Sequence, residues 1–468
     1  MIEAGQRDST EHFLRQLLWL SIILITVGAF EALALTTVMP AVADDLNGHR
    51  LYALAMGVPL ATHVISTTFG GAWVDARGAY VPIITGCTVA ALGLVIAGSA
   101  QHMEIVAIGR AVMGLGTGLL MVSLYAVVGS HVPTNRQPMF FAAFAAAWVV
   151  PSMFGPFFAG WIAERYSWRI VFVAVVPILA IAVLAMIPVL RPLPRGTANI
   201  WQDRDTYRNV AIAVGAGTGA AAMHVVVSQP SGLALAAFVV LGAGVLALLR
   251  FLLPAGTLSA RRETVGAVIA TRMWVNAGVV ATEAFLPLML VTIHGWEKKQ
   301  AGIILTIGGI SWAIGSVIQG KVTAPRVRHR LPVLGSALAT AGIAITAVSA
   351  LPQAPALLTS LAWLLAGSGI GLTLPAMSVL ALNVTPQAEH GRISACLQIV
   401  DGIGAALAIG VVGFFTILPD VFGGLSATGG TNPFVFGLAF MAGLGALSTW
   451  TAARVPHVTG PAVSAAAV

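Results

Sequence analysis

Four ionisable side chains interrupt otherwise apolar stretches of this chain: Glu31 in FEALALTTVMP, Arg110 in IGRAVMGLGTGL, Glu283 in ATEAFLP and Asp401 in CLQIVDGIGAALAIG. A charge inside a membrane span costs at least about 2.5 kcal/mol, so each must be paired, protonated or in contact with a water-filled cavity. A carboxyl enclosed by apolar atoms favours its protonated form and releases the proton when hydrated or offered a cation. Glu31 and Glu283 therefore suit proton exchange or cation binding. The competing readings are an interhelical hydrogen bond for Glu31 and a gate contact for Glu283. Arg110 would tune a nearby carboxylate or hold a fixed ion pair. Asp401, about eight residues into its span, would line an inner cavity, close a gate or hydrogen-bond a neighbouring helix. His63 and His224 titrate in the physiological range, although a lone histidine is more often simply hydrogen-bonded. Trp148, Trp274, Trp312 and Trp363 would wall a flat apolar pocket, or pack and anchor as most membrane tryptophans do.

Other chemistry is missing from the sequence. There is no GxxxxGK[ST] phosphate loop, HExxH, CxxC or nucleophile elbow, and GLGTG lies inside an apolar span instead of at a strand-to-helix turn. Cys87 and Cys396 both sit in apolar spans, which suggests neither a disulfide framework nor a metal cluster. No cofactor, metal or catalytic residue is expected, and the chain does not read as an enzyme.

The elements that must position these groups are membrane spans. The 468 residues are 58% hydrophobic and 9% charged, with mean hydropathy +0.91, against roughly 25% charged in soluble domains. The net charge of +7 carries topology and is no nucleic-acid footprint. With about 20 apolar residues needed per span, the sequence predicts an all-α polytopic membrane protein with fourteen spans. A tail, 1–16, precedes six spans between 17 and 190. A linker, 191–208, precedes two additional spans within 209–253, expected at the periphery. Six more spans lie within 254–453, before a tail at 454–468. If the N-terminus is cytoplasmic, that side collects most of the arginines. The other side holds Arg50, Arg165, Arg169, Lys298 and Lys299. The positive-inside rule thus places both termini in the cytoplasm of a multi-pass cell-membrane protein.

Three motifs carry a family resemblance. RAVMGLGTG (Arg110, Gly114, Gly116, Gly118) resembles the fourth-helix motif of major facilitator transporters. GPFFAGW (Gly155, Pro156, Gly160) resembles the fifth-helix motif of their drug:proton antiporters. GGAWVDARG (Gly71, Asp75, Arg77, Gly78) resembles the loop motif between their second and third helices. Here Gly78 is followed by Ala79, Tyr80 and Val81, where the family pattern continues with basic residues. Span one carries Glu31 where much of the fourteen-span branch has an aspartate.

The resemblance implies two pseudo-symmetric six-helix bundles flanking two extra spans. It also implies a role for Arg110 in proton coupling, and a gate formed by Asp75 and Arg77. Two internal matches agree with a duplication. FEAL at 30–33 matches TEAF at 282–285, and GGAWVDAR at 70–77 matches QGKVTAPR at 319–326, with Ala324 replacing Asp75. The function so implied is proton-driven export of apolar or cationic small molecules by alternating access. Its partners would be substrate, protons and membrane lipid, without nucleic acid, and a monomer would suffice. The residues leave open export of a metabolite, lipid or siderophore, proton symport, and a transporter-like receptor.

Overall fold

In hydrocarbon every backbone N–H and C=O must be satisfied internally, which leaves helices and closed barrels, and apolar runs of about 20 residues suit helices. The computed structural model describes residues 2–133, 136–192, 204–228, 232–259, 262, 264–322, 330–385, 390–421 and 433–455. Parts of the expected linker and tail, and Ala324 with Arg326 of the repeated loop motif, lie outside these. Among the described residues there are helices, one 3₁₀ turn at His49–Leu51, and no strand.

The first half contains α1 (Ile2–Asp45), α2 (Tyr52–Arg77), α3 (Tyr80–Gly98), α4 (Met103–His131), α5 (Gln137–Ala146), α6 (Val149–Arg165), α7 (Trp168–Val173) and α8 (Val175–Leu190). The additional pair is α9 (Arg204–Val227) and α10 (Gly232–Leu252). The second half contains α11 (Val265–His294), α12 (Lys298–Lys321), α13 (Leu331–Ser349), α14 (Leu358–Asn383), α15 (His390–Val421) and α16 (Pro433–Ala452).

Among the described residues, thirteen segments are long and apolar enough to cross a membrane. The fourteenth expected span, 138–162, is divided into α5 and α6 at Ala147–Trp148. Proline explains the division, because it has no N–H to offer the carbonyl four residues earlier. Pro151 leaves the Ala147 carbonyl without its helical partner. Pro177 does the same to Val173, where α7 gives way to α8. Helix α1 starts at Ile2, so the expected tail at 1–16 is largely a helical extension. Arg136 ties this extension down by donating to Glu11 (Nη1 to Oε2, 2.7 Å).

Two bundles with matching internal contacts result. In the first, α3 packs on α4, α2 on α4 and α3 on α8. In the second, α13 packs on α14, α12 on α14 and α13 on α16. The match extends to individual glycines. A methyl on Gly86 would lie 2.9 Å from the Gly116 carbonyl oxygen, and one on Gly335 would lie 2.7 Å from that of Gly369. Both helix pairs therefore meet backbone to backbone, the packing that small residues permit in lipid. The same sequence interval separates Gly86 from Gly335 and Gly71 from Gly320. One register of duplication thus runs through loop and helix.

The bundles meet along two seams, α2 against α15 and α6 against α12, with α1 also touching α11 and α12. Of the additional pair, α10 is peripheral, with 17% of its apolar window buried. Helix α9 departs from the peripheral placement expected for it. It packs on α2 and α15, so it lies along a seam and touches both bundles. Its stripe of small residues, Ala213, Ala216 and Ala220, lets it approach that closely.

Candidate functional site

The end of the molecule bearing the start of α1 and the end of α16 is the terminal face, and the other end is the opposite face.

Glu31 lies on α1, and only 4% of its surface is accessible. Its Oε1 accepts no hydrogen bond. Arg110 of α4 is equally enclosed, and its Nε and Nη1 donate none. The two charges interact electrostatically, and Arg110 also interacts with Tyr52 of α2. Three helices thus converge on one acid, one cation and one phenol, none in a closed ion pair. Local backbone features aim these groups. Gly114, one turn from Arg110, lies directly against Pro59 and Thr62 of α2. Thr36 and Thr37 donate to the carbonyls of Ala32 and Leu33 at 3.0 and 3.2 Å, back-bonds that bend helices. They stand just before Pro40, inside α1.

Helix α6 packs on α1 beside this group. Gly155 faces the Phe30 ring, and a methyl on Gly155 would stand 3.4 Å from that ring's Cδ2. Pro156 meets α12, where a methyl on Gly302 would fall 2.8 Å from the proline carbonyl oxygen. Ser152 Oγ reaches the Gly309 carbonyl at 3.4 Å. Gly155, Pro156 and Gly160 are all buried. Most of this motif is therefore occupied with the seam between bundles. Trp148 and Trp312 stand beside it, with ring centroids 6.4 Å apart. Trp363 lies against Gly308, while Trp274 packs with an apolar cluster around α15.

Glu283 on α11 is half-buried and interacts electrostatically with no charged group among the described residues. The next residue is part of a closure between bundles. Tyr52 donates its hydroxyl to the Ala284 carbonyl at 2.7 Å, and its ring centroid is 5.4 Å from that of Phe285. On the same face the backbone N–H of Lys299 donates to Glu164 Oε1 at 2.7 Å. The opposite face is thus closed by polar and aromatic contacts.

Asp401 is elsewhere, in the terminal half of the second bundle. Arg272 of α11 grips it, donating from Nε to Oδ1 at 3.0 Å and from Nη2 to Oδ2 at 2.5 Å. The Nη1 group of Arg272 donates to Ser378 Oγ at 2.6 Å and to the Leu374 carbonyl at 3.1 Å. Asn276 donates to the Asp401 carbonyl at 3.1 Å. Tyr125 of the first bundle is in electrostatic range of both charges. Sequence reasoning leaves Arg272 among the charges at span ends. The signal that it belongs with Asp401 is its depth, a full two turns inside α11.

The loop motif stands at the terminal face. Gly78 ends α2 with φ 73° and donates its N–H to Val74 at 2.8 Å. That positive φ is where glycine costs least. Gly71 faces Val122 of α4 at ordinary contact distance. Arg77 is exposed. The side chain of Asp75 lies outside the described residues. His63 Nδ1 is 3.4 Å from Thr117 Oγ1, the ordinary role for a membrane histidine.

A protein with a buried polar centre, two seamed bundles and one closed face has the form of an alternating-access carrier. The sequence family described as Major Facilitator Superfamily matches residues 20–409. The chain belongs to the major facilitator superfamily. It is a multi-pass membrane transporter and not an enzyme. A protein of Mycobacterium tuberculosis described as a probable multidrug-efflux transporter is 25% identical over 430 residues, covering 88% of this chain and 90% of that relative. A multidrug transporter protein of Bacillus subtilis is 22% identical, covering 84% and 73%. Among solved structures, a bacterial homologue of the human lysosomal transporter Spinster, inward-facing and occupied, gives a TM-score of 0.64 at 14% identity over 94% of this chain and 96% of that one. That likeness shows the shared fold.

Proposed function

We propose that this transporter exports apolar or cationic small molecules in exchange for protons. The observation that carries the reading is the Glu31–Arg110 group, an acid and a cation enclosed together without hydrogen bonds to fix either. A structural ion pair would be closed, because open, buried charges are expensive. An acid that alternates between neutral and ionised forms needs a cation near enough to stabilise the anion and loose enough to release it. The multidrug descriptions of the M. tuberculosis and B. subtilis relatives support a broad, apolar substrate class.

In the proposed cycle, protons entering from outside neutralise Glu31, Glu283 or both, and displace substrate. The carrier turns, the protons leave, and the carboxylates favour new substrate. Substrate and proton must each weaken binding of the other. The carrier would sit in the cell membrane with both termini in the cytoplasm, so the opposite face is the outer one. It would need no cofactor beyond the proton gradient, and would work as a monomer in lipid without nucleic acid.

The test is flux of lipophilic cations and neutral drugs in proteoliposomes under an imposed pH gradient. Gradient-driven flux that Glu31→Gln or Glu283→Gln uncouples supports the proposal. Flux that ignores the gradient and both substitutions overturns it. Movement of none of these compounds, with lipids or metabolites carried instead, replaces the substrate class.

A further inference from the structure

The coupling scheme leaves the buried imidazole of His224 unused. His224 is in the last turn of α9, 1% exposed, and neither ring nitrogen completes a hydrogen bond. The Ala406 carbonyl faces the ring without closing one. The ring is held between two glycines of different bundles. A methyl on Gly57 of α2 would overlap its Nε2, and one on Gly410 of α15 would stand 3.4 Å from its Cε1. One layer outward, Ala53 of α2 lies against Gly413 of α15, and Val227 of α9 is 3.4 Å from the place of a Gly413 methyl. Tyr52, whose hydroxyl reaches Ala284, forms the next layer. The imidazole therefore fills the seam on the closed half of the carrier, and it comes from the helix pair outside both bundles.

We propose that His224 is a proton-binding site on the opposite-face gate, filled when the seam opens and water reaches the ring. A neutral imidazole fits the closed pocket at the cost of unmet hydrogen bonds. An imidazolium has two donors and a charge, and the closed seam offers it the Ala406 carbonyl alone and no counter-charge, so protonation disfavours closure. Among the described residues, no charged group interacts electrostatically with the ring; Glu283 of α11 stands outward of it, next to the Ala284 that Tyr52 bonds, and Asp420 of α15 is about 15 Å outward along that helix from Gly410. On α2, Tyr52 is bonded to Ala284 and His63 faces Thr117. On α15, Asp401 is about 13 Å further along the helix from Gly410 and gripped by Arg272. On α10 the charged residue is Arg250, at the far end, and on α9 they are Arg204, Asp205 and Arg208, also at the far end. Acid on the opposite side thus holds the gate open. The inference rests on the alternating-access reading and is independent of which carboxylate couples transport.

The test reads conformation, so a failure of proton-driven flux would leave it intact. Spin labels at Arg50→Cys and Thr292→Cys bracket the gate on exposed positions, while the native Cys87 and Cys396 are buried. Pulsed electron–electron distances are measured between about pH 8 and about pH 5.5, either side of the ordinary imidazole range. The expected result is a several-fold rise of the longer distance on acidification, retained in Glu31→Gln/Glu283→Gln and lost in His224→Gln. Gly57→Ala, which evicts the ring, should favour the longer distance at every pH. An undiminished acid response in His224→Gln overturns the proposal, as does loss of the response in the carboxyl double variant alone. If His224→Gln does not purify as a monodisperse protein, His224→Asn and Gly57→Ala decide by the same readout.

Discussion

Each bundle holds an arginine and an acid from different helices, yet the two pairs are built in opposite ways. In the second bundle Arg272 uses Nε, Nη1 and Nη2, and meets Asp401, Ser378 and the Leu374 carbonyl. In the first, Arg110 leaves Nε and Nη1 empty and Glu31 leaves Oε1 empty. The satisfied pair is also the wetter one, with side-chain exposures of 14% and 21%. The deeper pair is the open one. Burial alone therefore does not decide which charges are structural. The number of donors and acceptors supplied around them does. Arg272–Asp401 fastens α11, α14 and α15 together, whereas no hydrogen bond closes Glu31 Oε1 or Arg110 Nε and Nη1, as the proposed exchange of protons requires.

Substitutions that exchange the behaviour of the two pairs test this difference. The largest effect on stability is expected from Asp401→Ala, which strands Arg272 among its remaining partners. Breaking a mostly buried pair costs about 3 kcal/mol or more, read as a fall in the thermal midpoint in detergent. Asp401→Asn should cost less, because the amide oxygen still accepts from Arg272. Glu31→Gln should reverse the pattern. Stability stays within about 1 kcal/mol, since a neutral amide replaces a group with no closed bond. Gradient-driven flux falls by about 10²-fold, the scale of a lost proton-transfer group. If Asp401→Ala instead abolishes coupling at unchanged stability, the assignment of roles is inverted.

The seams give smaller effects. Gly302→Leu forces side-chain volume toward the Pro156 carbonyl, and overpacking typically costs about 1–3 kcal/mol. It should slow alternation more than it lowers substrate binding, a split visible between turnover and binding assays. Smallest is Tyr52→Phe, which removes the hydrogen bond to Ala284. That loss is worth about 1 kcal/mol, or roughly a fivefold shift toward the open opposite face, measurable by the same label distances.

Much of this was legible along the chain. Hydropathy gave the class and thirteen of the spans, because a helix in lipid satisfies its backbone locally and needs only length and apolar side chains. Glu31 and Arg110 were visible as charges where charges are costly. The glycines of RAVMGLGTG were visible as a family motif, and the structure sets Gly114 and Gly118 on α2 and Gly116 on α3. The span at 138–162 read as one helix, but it is divided at Ala147–Trp148, set by Pro151.

Local composition therefore determined what each segment is: a span, an interruption, a helix end at Gly78, a repeat of the first half in the second. Tertiary structure alone decided what each segment meets. Arg272 and Asp401 are 129 residues apart, and nothing in either neighbourhood encodes the other. Helix α9 reads as one more apolar span, and its place between α2 and α15 follows from matching small-residue faces on three separate helices. Apolar segments gain no more from one lipid-like neighbour than from another. Their partners are chosen by shape and by a few polar contacts, which exist only once the helices are side by side.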